Sequence, residues 1–302
     1  MSDPVGRVLS ASIVDISALF QALVSLDSSI NAKFTLSESG VEVVTSSPVS
    51  QAHAYLYAGM FDVFDFHAPE NWLEREQQRA PEPDADVTLQ PCVSFELHMK
   101  KFIEVINVLS TRKSMTKDQA TMLIKYDGVG EPLYLALKHP GGGVAFEMRT
   151  LDMPIVADIP FESDKTQAQL IMDSNTLLPY WREAVQNAKD TIHIAFYPSH
   201  GASKGRLELS TENEIGTSDV VIPYDDAIME KFTCHTPVRR RYQLTPTKAI
   251  GLSATFSNKT SLRVDVNGIL SAQFMIQRTV PVTVAHTDPQ LFFVDHKICP
   301  LE

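Results

Sequence analysis

Residues 261–276, SLRVDVNGILSAQFMI, constrain this chain more than any other stretch. They read as two strands around Asn267-Gly268, the strongest short-range signal of a β-hairpin. Side chains alternate along a strand, so the register of the turn decides which residues share a sheet face. A two-residue loop would put Leu262, Val264 and Val266 on one face and Leu270, Ala272, Phe274 and Ile276 on the other. A three-residue loop of Val266, Asn267 and Gly268, with Gly268 left-handed, pairs Asp265 with Ile269 instead. All seven apolar side chains then share one face, and Arg263, Asp265, Ser271, Gln273 and Met275 take the other. The sequence therefore predicts a glycine-bulged turn and a one-faced antiparallel sheet. Such a sheet needs an apolar layer to pack against.

Amphipathic segments supply that layer. Asp15 is placed to cap a helix whose apolar residues Ile16, Leu19, Phe20, Leu23, Val24 and Leu26 recur at three- and four-residue steps. A second helix spans about 98–110, with Met99, Phe102, Ile103, Ile106 and Leu109 as its apolar stripe. A third fits 176–188, where Pro179 is tolerated only in the first turn. Thr245-Pro246 marks the cap and first position of a fourth helix ending near 254. Strand signals fall at 10–14, 32–36, 41–45, 51–57, 60–66, 93–97, 119–126, 131–138 and 143–149. They continue at 169–173, 190–197, 205–211, 217–222, 238–244 and 291–298, with a polar connection before 238. Gly141-Gly142-Gly143 lacks the strand-to-helix context of a phosphate cradle and reads as a hairpin turn.

Residues 68–91 hold four prolines and six acidic residues around Trp72, and read as an exposed loop. Residues 151–168 are proline-interrupted and acidic, and read as a linker. The order of elements before this linker is repeated after it. Four amphipathic helices against roughly eighteen short strands indicate a mostly antiparallel α+β protein. Its two similar domains are expected at 1–150 and 169–302, joined by a connector at 151–168.

Composition excludes several function classes. The 302 residues are 44% hydrophobic and 8% aromatic, as in ordinary soluble globular proteins. Apolar runs such as LYLAL at 133–137 are strand-sized, so no membrane span is expected, and MSDPVGRVLS lacks the form of a secretory signal. Cys92, Cys234 and Cys299 lie far apart and read as reduced thiols of an intracellular protein. No catalytic motif, metal spacing or cofactor motif is present, and His98 and His193 read as structural. Asp62, Asp65, Asp158 and Glu162 are the carboxylates to offer for a nuclease metal site, but they share no fixed spacing. A net charge of -11 excludes a body that attracts nucleic acid over its whole surface. A local basic face is compatible with it. The outward helix faces carry Lys100, Lys101, Arg182, Lys189 and Lys248 against Glu104 and Glu183. Arg239, Arg240 and Arg241 lie in a strand, where alternation spreads them over two faces.

Four segments give the chain a family likeness: the opening hairpin, ELSTENEIGTSDVVIPY at 208–224, MEKFTC at 229–234 and SQAHAYLYAGMFDVFDF at 50–66. With their spacing, they resemble the sliding-clamp superfamily, and within it the Rad-one subunit of the heterotrimeric nine-one-one checkpoint clamp. The resemblance implies sheets outside and helices inside a ring through which double-stranded DNA passes without sequence preference. It makes Lys100, Lys101, Arg182, Lys189 and Lys248 the candidate channel residues. It implies that Val144, Ala145, Phe146, Glu147 and Met148 pair with a neighbouring subunit's strand. Ser218, Asp219, Val220, Val221 and Ile222 would form the complementary edge. The implied partners are two related clamp subunits, Rad-nine-like and Hus-one-like, and an ATP-dependent clamp loader. The implied role is a non-catalytic nuclear scaffold for checkpoint signalling and repair, with partner peptides docking at the connector. The alternative is a 3′-to-5′ exonuclease, an activity suggested for members of this family. The acidic insertion at 68–91 is longer than the clamp core requires.

Overall fold

The computed structural model describes residues 6–26, 31–72, 90–115, 120–139, 142–151, 157–201, 203–277 and 291–301. The first half contains β1 (Leu9–Ile13), α1 (Ile16–Val24), β2 (Asn31–Ser37), β3 (Gly40–Ser46), β4 (Ser50–Tyr57) and β5 (Val63–Phe66). It continues with β6 (Cys92–His98), α2 (Met99–Met115), β7 (Thr121–Tyr126), β8 (Leu133–His139) and β9 (Gly142–Met148). The second half contains β10 (Thr166–Asp173), α3 (Ser174–Asn187), β11 (Thr191–Tyr197), β12 (Arg206–Glu212), β13 (Thr217–Pro223) and β14 (Met229–Cys234). It ends with β15 (Val238–Gln243), α4 (Leu244–Phe256), β16 (Lys259–Asp265), β17 (Leu270–Gln277) and β18 (Leu291–Ile298).

These strands form three antiparallel sheets. The first has the order β5-β1-β7-β8-β9 and the third β13-β12-β11-β15. The central sheet, β14-β10-β16-β17-β18-β4-β3-β2-β6, takes strands from both halves. The helices pack side by side, α2 on α1, α1 on α4 and α4 on α3, against the sheets. Membrane crossing by a helix is not supported, since no helix among the described residues is long and apolar enough.

The hairpin at 261–276 adopts the register with the longer loop. Val264 pairs with Leu270, Gly268 has φ +79°, and the Gly268 amide donates to the Asp265 carbonyl at 3.0 Å. Leu262, Val264, Leu270, Ala272, Phe274 and Ile276 are buried in the core. Val266 departs from its expected face, whereas Asp265 keeps its face but is not solvated. Val266 is exposed at the tip, because the bulge turns it away from the sheet. Asp265 is fully buried, because the connector packs over it. Its Oδ1 accepts from the amides of Asn267 and Ile269, and its Oδ2 from the amide of Glu162 at 3.1 Å. Backbone donors on both oxygens make burial of this carboxylate tolerable.

Helix starts also differ from expectation. Asp173 caps α3, accepting from the amides of Asn175 and Thr176, so the helix begins at Ser174 and Pro179 falls in its second turn. A proline there removes a helical hydrogen bond and costs on the order of 3 kcal/mol. Burial of Leu177, Leu178, Trp181 and Ala184 offsets this, and Trp181 Nε1 also donates to the Thr247 carbonyl at 3.0 Å. Helix α4 begins at Leu244, so Gln243, without a side-chain cap, occupies the position expected for Thr245. Residues 58–60 form a short 3₁₀ turn instead of a strand start, burying Met60 and Phe61, and Asp62 Oδ2 accepts from the Val14 amide at 2.6 Å. The polar connection before 238 contains a strand, β14, whose pairing with β10 shifts register between Ile171 and Met172. Trp72 is half-buried at a turn, its amide donating to the Pro69 carbonyl. Residues 73–89 of the expected loop, 152–156 of the connector and Gly141 lie outside the described residues.

His296 on β18 is buried between the central sheet and α4, with Nε2 at 2.8 Å from Ser253 Oγ. Burial, with a smaller contribution from His53, pushes its pKa down to about 4. The folded state therefore binds this proton more weakly than the unfolded chain, and His296 withdraws stability as pH falls from 6.5 towards 4. The full effect is about 3 kcal/mol, and urea unfolding of His296→Gln should show a correspondingly shallower loss over that window. At Gly268, an added Cβ would need left-handed backbone and would sit 2.5 Å from Arg240 Nε. Gly268→Ala should cost about 1–2 kcal/mol by urea denaturation, and Gly268→Asn less.

Candidate nucleic-acid and subunit interfaces

The solvent side of the helix layer is cationic on an acidic body. Exposed charged residues on the described helix surfaces are Lys100, Lys101, Arg182 and Lys248 against Glu104 and Glu183. Helix α1 adds only Ser17 to the exposed set. The five predicted cations differ in their surroundings. Lys100 and Lys248 have no carboxylate within ion-pair distance among the described residues, and both are exposed. Lys101 Nζ lies 2.9 Å from Glu104 Oε2, a contact that holds the Glu104 carboxyl below the usual carboxylate range. Lys189 lies just beyond α3 and pairs with Glu214 of the β12–β13 turn at 2.8 Å. Arg182 crosses from α3 to α4, donating from Nη2 to Thr255 Oγ1 at 3.2 Å. The sequence separation of Lys189 from Glu214 and of Arg182 from Thr255 concealed those two partners from any periodicity argument.

The strands expected at subunit boundaries are both sheet edges. Among the described residues strand β9 pairs only with β8 and β13 only with β12, each over seven residues without a register shift. On β9, Ala145 and Glu147 are exposed and Val144, Phe146 and Met148 half-buried. On β13, Asp219 and Val221 are exposed, Ser218 is half-buried, and Val220 and Ile222 reach the core. The remaining edges are blunted in the ways natural sheets use. Strand β5 is four residues long, and β14 carries the register shift. Leu151 exchanges two backbone hydrogen bonds with Glu96 of β6, and the Leu301 amide donates to Arg241 of β15. Regular, open edges of seven residues are the ones equipped to accept another strand.

The described part of the connector is pinned at two points. Gln51 Nε2 donates to the Ala157 carbonyl at 3.1 Å and its Oε1 accepts from the Ile159 amide at 2.9 Å. Asp265 holds the Glu162 amide, while Asn267 Nδ2 donates to Glu162 Oε1 at 2.9 Å. Arg263 lies over the Phe161 ring, 4.8 Å from its centroid. No sequence signal short of the fold itself marks Gln51 or Asp265 as anchors.

The four carboxylates considered for nuclease chemistry do not converge. Asp62 accepts from the Val14 amide beside β5, and Asp65 faces His67. Asp158 lies on the connector, and Glu162 pairs with Lys165 and Asn267. No group of three or more His, Cys, Asp or Glu suited to a metal occurs among the described residues. His193 is half-buried on β11, and its pKa is lowered by burial and by Arg239 and Arg241. Those two arginines are exposed and share its sheet face, whereas Arg240 packs over Gly268 on the opposite side.

The sequence profile of the family described as Repair protein Rad1/Rec1/Rad17 matches residues 8–276. The cell cycle checkpoint protein RAD1 of Homo sapiens is 24% identical over 295 residues, covering 97% of this chain and 92% of that protein. The DNA repair exonuclease REC1 of Mycosarcoma maydis is 24% identical over 220 residues, 60% of this chain and 48% of that protein. The proliferating cellular nuclear antigen of Entamoeba histolytica superposes with a TM-score of 0.67 at 13% identity, over 98% of this chain and 100% of that one. The fold is therefore that of a sliding clamp, with antiparallel sheets and four α-helices among the described residues.

Proposed function

Because the chain belongs to the Rad1/Rec1/Rad17 family of repair proteins, we propose that it is a non-catalytic subunit of a ring-shaped checkpoint clamp. In this reading it has two clamp domains, 1–150 and 169–302, and acts in the nucleus as a scaffold for damage signalling and repair. It joins two related subunits through β9 and β13, encircles double-stranded DNA, and is placed there by an ATP-dependent loader. The observation that carries the reading is the pairing of a clamp fold with two regular, open seven-residue edges and a cationic helix layer. The name of the REC1 relative raises the exonuclease alternative, but the scattered carboxylates favour the scaffold.

Two measurements test it. Co-expressed with the two related subunits, the chain should form a ring of one copy each by light scattering, and alone it should not form a stable homotrimer. Val221→Glu, at a half-exposed edge position, should abolish ring assembly while leaving the far-ultraviolet circular dichroism unchanged. Retention of the assembled ring on closed circular duplex should fall for Lys100→Glu and Lys248→Glu. Each lysine lost should lower the salt dependence of duplex affinity by roughly one counterion. Lys189→Glu should have a smaller effect, since Glu214 already neutralises that charge. Equal effects of all three would remove the helix layer as the DNA-facing surface.

A further inference from the structure

A hydroxyl residue precedes proline at three places in the sequence: Ser47-Pro48, Thr236-Pro237 and Thr245-Pro246. Two of them continue to a cation three residues after the hydroxyl, as Thr236-Pro237-Val238-Arg239 and Thr245-Pro246-Thr247-Lys248. This is the recognition pattern of proline-directed serine/threonine kinases. Proline has no amide hydrogen, so the pocket beside the phosphate acceptor needs no hydrogen-bond acceptor of its own. The following cation answers an anionic pocket on the kinase. Patterns this short also recur by chance, so the structural context of each copy has to decide between them.

Ser47 is followed at the third position by Ser50, and its hydroxyl is engaged within the β3–β4 turn. Its Oγ donates to the Ser50 carbonyl at 3.2 Å and accepts from the Val49 and Ser50 amides. Thr245 is exposed, but it lies in the first turn of α4. Kinases hold the acceptor segment extended, which a helical turn is not. Thr247, inside the same motif, is completely buried, and its hydroxyl donates to the Gln243 and Leu244 carbonyls. Extending that motif would open the core.

Thr236 differs in each respect. It lies in the three-residue connection between β14 and β15, where His235, Thr236 and Pro237 are all exposed. The proline after it disfavours helical backbone at Thr236. Its hydroxyl has no hydrogen bond among the described residues, while its carbonyl accepts from Cys234 Sγ at 3.1 Å. The turn is thus held through its backbone, and the hydroxyl is left to solvent. Strand β14 is an edge of the central sheet and β15 an edge of the third, so the connection passes between two sheet margins. Arg239 is exposed and has no carboxylate at ion-pair distance among the described residues. Val238 alone in the motif is buried, and it is the first residue of its strand. Presenting the motif therefore requires β15 to fray by a single residue.

We propose that Thr236 is a phosphorylation site for a proline-directed serine/threonine kinase. The γ-phosphoryl group of ATP is transferred to Thr236 Oγ1: its bond to the ADP oxygen breaks, a bond to the threonine oxygen forms, and the hydroxyl proton passes to the kinase's general base. The phosphothreonine carries about -1.5 to -2 charge at pH 7. Arg239 offers it an unpaired guanidinium on the same strand. Because Cys234 pairs with Ala168 of β10, the new charge arises where the connector re-enters the central sheet.

The purified chain, incubated with a cyclin-dependent kinase, magnesium and ATP, should gain a phosphate that tandem mass spectrometry maps to Thr236. Thr236→Val should remove it, Thr236→Ser should keep it, and Thr245→Val should leave the uptake unchanged. Arg239→Ala should slow the initial rate about ten-fold, the effect of losing one charge-assisted contact. The substituted side chains are exposed, and unchanged far-ultraviolet circular dichroism checks that each variant is folded. Absence of phosphate from Thr236 would overturn the proposal, whether the chain stays unmodified or Ser47 or Thr245 is modified in its place. Uptake by Thr236→Val at the full rate would do the same. A rate at Thr236 indifferent to both Pro237→Ala and Arg239→Ala would overturn the assignment to a proline-directed kinase.

Discussion

Pairing of β18 with β4 is the contact on which the other features depend. Six residue pairs, from Phe293 with Tyr55 to Ile298 with Ser50, join the two halves into one central sheet. Without this pairing each half would end in an unpaired edge, with the aggregation hazard such edges carry. With it, Val294 and Ala54 become completely buried, and residues of both halves enter one hydrophobic cluster. The same pairing sets α1 beside α4, and so closes the row of the four described α-helices. A cleft of about 550 Å³ lies at this junction, lined by the end of α1, the β3–β4 turn and the first turns of α4.

The outer side of that junction is secured by buried polar groups. A carbonyl only accepts and an amide only donates, so Ala157 and Ile159 leave Gln51 one possible orientation. Gln51 Oε1 then faces His53 Nε2 at 3.3 Å, and His53 Nδ1 faces Glu42 at 3.0 Å. That contact is the largest cause holding Glu42 below the usual carboxylate range. At the other anchor, the exposed Glu162–Lys165 pair is a weak fastening, because solvent screens it. The Asp265 carboxylate is the stronger fastening. It is fully buried, and losing a backbone donor would leave part of a charge unmet.

Strand registers and helix stripes were legible in the sequence because they follow from periodicity. The hairpin is the clearest case, since only the bulged turn gathers its apolar residues on one face. Val266 was misplaced by the same rule, and Asp265 was given its correct face without its burial being foreseen. Alternation knows nothing of a connector covering the second face or of a tip leaving the sheet. Pro179 in the second turn and the strand β14 escaped for a related reason: tertiary burial overrode local propensity. The exposure of Lys100 and Lys248 was legible because outward positions of an amphipathic helix can be read directly. The partner of Lys189 lies 25 residues away, and the cleft draws on α1, β3, α4 and β18, so neither had a local signature.

The disparity between a net charge of -11 and a cationic helix layer bears on how such a surface would hold DNA in the proposed role. At 0.1 M ionic strength the screening length is about 10 Å, so acids elsewhere on the body weaken a phosphate contact at Lys100 or Lys248 only slightly. They still oppose long-range approach, which depends on the field of the whole molecule. Four exposed cations on the described helices, two of them offset by nearby glutamates on the same layer, give a shallow attraction. A surface of that strength cannot retain DNA by affinity alone. On the proposed function, closure of the ring would supply the retention, and a weak, unspecific lining would leave an enclosed duplex free to move. On that reading the acidic exterior and the mildly cationic helix layer are complementary: one would limit adventitious binding, while the other would guide a strand held by topology.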